Sequence, residues 1–382
     1  MKVLFIAYYF EPFPGVGAKR ISYWAKNIKR IDDSITRCDV ITATKQDSII
    51  KGIDNIYYVE DTNSGVLRKL IKYDRGASWY YDLKKYIKNN IREKEYDYVV
   101  YTGDPFLHFF TIREIKNLHI KTILDFRDPF SNNPRNTLNI SFVRKIKMYI
   151  LGIIEEYFLK KADIIITVNS FCAELFRSYK KYITKIKIID NGFDEQLLIK
   201  INKKKTFPSQ SFNLSYAGKL YQDRNPQIFF NSLKRFKNAK FYHIGEKSEY
   251  IEEETEQIFS LGSYSYVETL NILSSMDICM IFTSGYSFES TTKIFDYIAL
   301  NKIILIISDG EIKSGQLHNI TKDYPYVYWA KNDIDEITKA LSLIENKLSL
   351  NMNDSFNSYS YSREYGLKKL INILKENKND KL

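Results

Sequence analysis

The residues best suited to chemistry lie between Tyr286 and Ile307, where Ser290, Thr291 and Thr292 precede Lys293 and Asp296, and an aliphatic run follows from Ile303. Serine and threonine are favoured helix N-caps, so this order predicts a helix start and then a buried strand. The first helical turn leaves backbone N–H groups at Thr292 and Lys293 without helical partners, and the helix dipole adds partial positive charge. Such a turn can hold a diphosphate. Asp296 falls about one turn further on, placed to accept a hydrogen bond from a sugar hydroxyl rather than to meet phosphates that would repel it. The same spacing also describes an ordinary capped helix before a parallel strand.

Other chemistries find less support. The four histidines, His108, His119, His243 and His318, form no Ser-His-Asp or Cys-His pattern in the sequence. His108 follows a candidate strand at its C-terminal end, where ligand crevices form, and could bond a hydroxyl or simply pack locally. His243 falls inside a strand and reads as structural. Asp333-Ile-Asp335 is the one clear Asp-x-Asp; it opens a helical pattern and reads as a cap rather than a metal site. Cys38, Cys172 and Cys279 are scattered singly, which suggests neither a disulfide framework nor zinc. Gly15 and Gly17 would let the backbone approach an anion before a helix. Asp104, Arg127 and Asp128 sit at strand ends facing one crevice, where Asp128 could orient a hydroxyl, although strand-end acids also cap helices.

Short apolar runs alternate with helical patterns along all 382 residues, which predicts βα units and parallel sheets. Candidate strands are Lys2–Tyr8, Asp39–Thr42, Asn55–Tyr58, Asp97–Thr102, Lys121–Asp125, Ile164–Val168 and Ile186–Ile189, then Phe212–Ala217, Lys240–Ile244, Phe259–Gly262, Ile278–Phe282, Lys302–Ile307 and Val327–Trp329. Two doubly wound α/β domains are expected, 1–200 and 201–360, joined through the lysine-rich stretch Lys200–Ser211, with a helix in 361–382 returning toward the first. No signal peptide is expected, because Met1-Lys-Val-Leu-Phe-Ile-Ala runs directly into aromatics without a small-residue cleavage site, and no transmembrane helix is expected, because no run reaches the roughly 18 apolar residues of a membrane span.

Several segments, in this order and spacing, resemble the GT-B glycosyltransferases, specifically the retaining enzymes of family 4. They are Tyr8-Tyr-Phe-Glu-Pro-Phe-Pro-Gly-Val-Gly-Ala-Lys-Arg20, Gly103-Asp-Pro-Phe-Leu-His108, Asp125-Phe-Arg-Asp-Pro129, Ile188-Ile-Asp-Asn-Gly-Phe-Asp194, Gly218-Lys-Leu-Tyr-Gln-Asp-Arg-Asn-Pro226 and Thr291-Thr-Lys-Ile-Phe-Asp-Tyr297. The resemblance covers nearly the whole chain and implies two Rossmann-like domains facing across a cleft, the first taking an acceptor and the second a nucleotide sugar. It further implies that Lys219 and Arg224 stabilise the leaving diphosphate without a metal or other cofactor. By the same resemblance Asp296 contacts the ribose, Thr291, Thr292 and Lys293 the phosphates, and Gly245, Ser263 and Tyr264 the nucleotide side, with Gly15 and Gly17 approaching the phosphates. Asp104 and Arg127 would serve the acceptor, and Asp128 and His108 the reaction. The family's signature has glutamates eight residues apart, whereas eight before Asp296 stands Phe288, with Glu289 beside it; Glu289 either takes that place or the contact is absent.

Charge adds a partner. Residues 1–200 hold 34 Lys and Arg against 24 Asp and Glu, whereas 201–382 hold 23 against 22, so the first half carries nearly all of the net +11. A basic half suits a polyanion or an anionic membrane surface. Trp24–Lys29, Arg68–Lys72, Lys84–Lys94 and Arg144–Lys161 interleave basic with apolar residues, and the last predicts a helix with an apolar and a basic face. The expected protein is a cytoplasmic glycosyltransferase of bacterial surface-glycan synthesis, peripheral on the inner face of the membrane, using a lipid-linked or polysaccharide acceptor. The alternatives are a GT-B sugar-nucleotide 2-epimerase, or a basic nucleic-acid-binding protein for which no recognition motif is present.

Overall fold

The computed structural model describes residues 1–382 except 47, 63–73, 75, 135–141, 202–206, 209–211, 223–224, 252, 349–355 and 380–382. The chain forms two compact units, Met1–Asn191 with Arg363–Leu382, and Gly192–Ser362. Most of the expected linker, Arg224 and the whole basic segment 68–72 lie outside the described residues.

The first unit is built on a seven-stranded sheet of order β3-β2-β1-β4-β5-β6-β7. Its strands are β1 (Lys2–Ala7), β2 (Arg37–Thr42), β3 (Asn55–Tyr58), β4 (Tyr98–Thr102), β5 (Lys121–Phe126), β6 (Ile164–Thr167) and β7 (Ile186–Ile188), and every pairing is parallel. Continuous aliphatic runs form these strands because both faces are covered. Leu4, Ile6, Val99, Tyr101, Leu124 and Ile165 pack on one side with Trp79, Leu83 and Ile87 of α2 (Gly76–Asn90) and Phe158 of α3 (Phe142–Lys161). Their neighbours Val3, Phe5, Tyr98, Val100, Ile123 and Ile166 pack on the other side. There they meet Ile21, Trp24 and Ile28 of α1 (Val16–Ile31) and Leu367, Leu370 and Leu374 of the C-terminal helix Arg363–Asn379.

The second unit has a six-stranded parallel sheet of order β10-β9-β8-β11-β12-β13. The strands are β8 (Phe212–Ala217), β9 (Ala239–Ile244), β10 (Ile258–Ser260), β11 (Ile278–Thr283), β12 (Ile303–Ser308) and β13 (Val327–Lys331). Helices α4 (Tyr266–Ser274), α5 (Lys293–Ala299) and α6 (Gly315–Thr321) carry its functional loops. Asp333 Oδ1 accepts from the N–H groups of Asp335 and Glu336, so the Asp-x-Asp is a helix cap. Every candidate strand is present, with ends shifted by at most two residues.

In the first unit a buried ion pair fixes α1 against the end of β5. Arg20 Nη2 lies 3.2 Å from Asp125 Oδ1, with the two side chains 5% and 0% exposed. Arg20 also donates to Ile189 O at 2.8 Å, and Thr102 Oγ1 donates to Asp125 Oδ2. Burial pulls the guanidinium pKa down and pushes the carboxyl up, each opposed by the partner's charge.

His108 corrects the expectation of a crevice histidine. Its ring is 0% exposed, set 5.2 Å from Trp79, 4.9 Å from Phe109 and 6.0 Å from Tyr101. Neither ring nitrogen has a hydrogen-bond partner, so the histidine serves as a core aromatic. The one-turn 3₁₀ segment Leu107–Thr111 begins directly after the strand-end loop and turns this side chain inward.

Two outcomes follow for stability. Arg20→Met leaves Asp125 buried without its cation and should cost about 3–5 kcal/mol in urea denaturation. Burial lowers His108 from 6.5 to about 3, so the stability it permits is complete above the unfolded value and is lost as pH falls below it. By pH 4 that loss reaches about 3 kcal/mol. His108→Phe should flatten the decline in stability between neutral pH and pH 4; an unchanged slope would place the titration elsewhere.

Candidate functional site

In a doubly wound sheet the ligand crevice lies beyond the strand ends where strand order reverses. In the second unit this point falls between β8 and β11. Three glycines end the neighbouring strands in a row: Gly218 N donates to Ile244 O at 2.7 Å, and Gly245 N to Gly262 O at 2.9 Å. A Cβ on Gly245 would stand 2.9 Å from Gly218 O, and Gly218 and Gly262 have φ of +123° and +83°. Only glycine meets these demands without strain. His243 Nε2 lies 2.8 Å from Gly218 O, which fixes the turn and bears out its structural reading.

Lys293, the first residue of α5, reaches this row. Its amine lies 4.0 Å from the centroid of the Tyr216 ring, and a Cβ on Gly218 would approach it to 2.7 Å. A positive charge therefore stands at the reversal point. The helix start differs from expectation in one respect: Thr292 is the N-cap residue but has helical backbone angles, and its hydroxyl caps nothing. Thr291 and Lys293 line a small recess with Tyr216, Thr283 and Glu289. Glu289 is buried, and its carboxylate accepts from the Thr283 hydroxyl, so this acid belongs to the same recess.

Asp296 is 8% exposed, and its Oδ1 accepts from Tyr266 Oη at 2.6 Å. Tyr266 follows Ser265, whose side chain forms a capping box with Glu268 at the start of α4. This ties the loop of Ser263 and Tyr264, both exposed, to the helix of Asp296. Tyr266 was missed in the sequence, although Ser265-Tyr-Val-Glu268 carries the capping-box signature. Lys219 is exposed beside Tyr221, with its amine 5.7 Å from that ring.

The first unit reverses order between β1 and β4. After β1, Tyr9 stacks on Phe13 with ring centroids 4.3 Å apart, and Gly15 caps α1 with extended backbone. Arg127 donates to Gly17 O at 2.8 Å and to Gly103 O, so its guanidinium joins the loops after β1 and β4. That makes it a clamp, a role its strand-end position had not disclosed. Asp104 and Asp128 are exposed and border a cavity of about 320 Å³ with Asp74, Phe130 and Lys147. Asp74, also missed in the sequence, accepts from the N–H groups of Gly76, Phe106 and Leu107. Burial pushes its carboxyl up to about 6, reinforced by Asp104 and opposed by those bonds. The cavity combines carboxylates with an aromatic wall, a chemistry suited to hydroxyl-rich ligands.

Residues 37–197 match the family described as Glycosyltransferase Family 4. No curated protein matches the sequence. Among solved structures, Anabaena HepE in complex with UDP and glucose is 13% identical, covering 98% of this chain and 100% of its own, with a TM-score of 0.67. Sucrose-phosphate synthase from Thermosynechococcus elongatus is 9% identical over 98% of this chain and 99% of that one, with a TM-score of 0.69. UDP-GlcNAc 2-epimerase from Methanocaldococcus jannaschii is also similar, at 9% identity over 98% and 100% of the two chains and a TM-score of 0.57. Residues 37–197 thus match a family 4 glycosyltransferase model, and over nearly its whole length the chain shares the two-unit α/β fold of these solved structures.

Proposed function

We propose that the protein moves a hexosyl or N-acetylhexosaminyl group from a nucleoside diphosphate sugar to a lipid-linked or polysaccharide acceptor in bacterial surface-glycan synthesis. The observation that carries the donor assignment is the glycine row with Lys293 at the β8/β11 reversal, one turn from Asp296. Diphosphate needs close backbone approach and positive charge, and ribose needs an acceptor oxygen. HepE, a structural neighbour, was solved with UDP and glucose, which supports this reading.

In the proposed reaction the acceptor hydroxyl attacks the anomeric carbon on the face from which the diphosphate leaves. The glycosidic C–O bond breaks, and the acceptor proton passes to the departing phosphate oxygen. Lys219, Arg224 and Lys293 meet the charge that develops there, with no metal required. Asp128 orients the acceptor hydroxyl in the acidic cavity, with Asp104 beside it. The configuration is retained, and the protein works at the inner face of the cytoplasmic membrane.

A 2-epimerase is the second reading, since such an enzyme shares the fold. It would need acid and base groups at the sugar, yet His108 is sealed in the core and His243 is engaged with Gly218. Conversion of a nucleotide sugar to its 2-epimer without acceptor would decide for it.

Calorimetry with UDP and GDP should show binding of one of them, weakened by Asp296→Ala by about 1.5–3 kcal/mol. Equal affinity in that variant would remove Asp296 from the site. Lys219→Ala and Arg224→Ala should each lower turnover by about 10²-fold or more. EDTA should leave turnover intact, and strict dependence on added Mn²⁺ would contradict the proposed mechanism.

A further inference from the structure

Helix α3 turns an apolar stripe outward. Ile146, Tyr149, Ile150 and Ile153 are 46%, 60%, 48% and 52% exposed, at the i, i+3, i+4, i+7 spacing of one helix face. A helix lying on its own sheet ordinarily shows solvent its polar side. Every other helix among the described residues has at most one large exposed hydrophobic, as with Tyr81, Leu343 and Tyr365. The stripe is bordered by cations: Lys145 and Lys147 are exposed on the same helix, and exposed Arg177 covers the Tyr149 ring at 4.7 Å. Lys181 is held alongside through Glu156 at 2.9 Å, next to Ile183, itself 50% exposed.

We infer that α3 docks the first unit on an anionic lipid surface, lying in the headgroup plane. Apolar side chains flanked by lysine and arginine match acyl chains beneath anionic headgroups, and tyrosine suits the boundary between them. A second copy of this chain is the poorer occupant, because pairing the stripe with itself would bring its flanking cations together. No helix among the described residues is long and apolar enough to cross a membrane, so docking is superficial. Docking also positions the acidic cavity. Lys147 and Leu151 of the same helix line the acidic cavity with Asp104 and Asp128, so a docked α3 holds that cavity beside the lipid surface. This rests on the acceptor reading above and narrows it: the acceptor is the glycan end of a lipid-anchored molecule.

The test is sedimentation of the full chain with phosphatidylcholine vesicles, with and without phosphatidylglycerol. The chain should sediment with the anionic vesicles and be released by salt. Ile146→Ser, Ile150→Ser and Ile153→Ser combined should weaken vesicle binding by about tenfold or more. Leu343→Ser, an exposed leucine of the second unit, should change nothing. UDP or GDP binding, whichever the wild type shows, should be unaltered in the triple variant, which separates docking from the catalytic reading. Vesicle binding that survives the triple substitution overturns the inference. So does a dimer in sedimentation velocity that the triple substitution dissolves, or a joint loss of vesicle and nucleotide binding.

Discussion

The first unit depends on one buried ion pair. Arg20 and Asp125 are almost wholly withdrawn from water, so neither charge tolerates loss of the other. Arg20 comes from the second turn of α1 and Asp125 from the end of β5, while Thr102 at the end of β4 and Ile189 just after β7 add their bonds. Four segments at the C-terminal edge of the sheet are thereby held to one centre. Three of them are adjacent to functional candidates: Gly15 and Gly17 precede Arg20, Asp104 follows Thr102, and Arg127 and Asp128 follow Asp125. Arg127 adds an outer clamp between Gly17 and Gly103. These loops leave from segments that the charge pair and its hydrogen bonds join.

The second unit joins its strand ends in another way. Its strand ends are linked by backbone contact, since Gly218 N donates to Ile244 O and Gly245 N to Gly262 O, and a Cβ on Gly245 would stand 2.9 Å from Gly218 O. The two sheets share a topology, but one edge is tied by side-chain charge and the other by the absence of side chains.

How far this was legible depends on whether the signal was local. Continuous aliphatic runs such as Ile303–Ile307 announce strands buried on two faces, and the strands appear where those runs are. The glycines and the Asp333 cap were equally readable, because their conformational demands are met within a few residues. Contacts distant in sequence were not. Nothing at Asp296 discloses Tyr266, 30 residues earlier, as its donor. Nothing at His108 says that a short 3₁₀ turn drives the ring among Trp79 and Phe109 rather than into the crevice. For α3 the periodicity of apolar residues was plain, but which face meets the sheet is decided by packing, and Phe158 and Leu159 took the inside.

The C-terminal helix has a consequence in time. Leu367, Leu370 and Leu374 sit fully buried under the first sheet, and Tyr98 Oη donates to Leu374 O at 2.8 Å, yet these residues are translated only after all of Gly192–Ser362. At about 5–20 residues per second the first unit waits on the order of ten to thirty seconds with part of one side of its sheet uncovered. Val100, Ile123 and Ile166 border that gap. A nascent chain with an open aliphatic groove is a substrate for chaperones and a liability for aggregation, so the second unit is synthesised while the first remains half-finished. Ribosome stalling anywhere in the second unit would therefore strand the first, although every residue of its sheet had already been made.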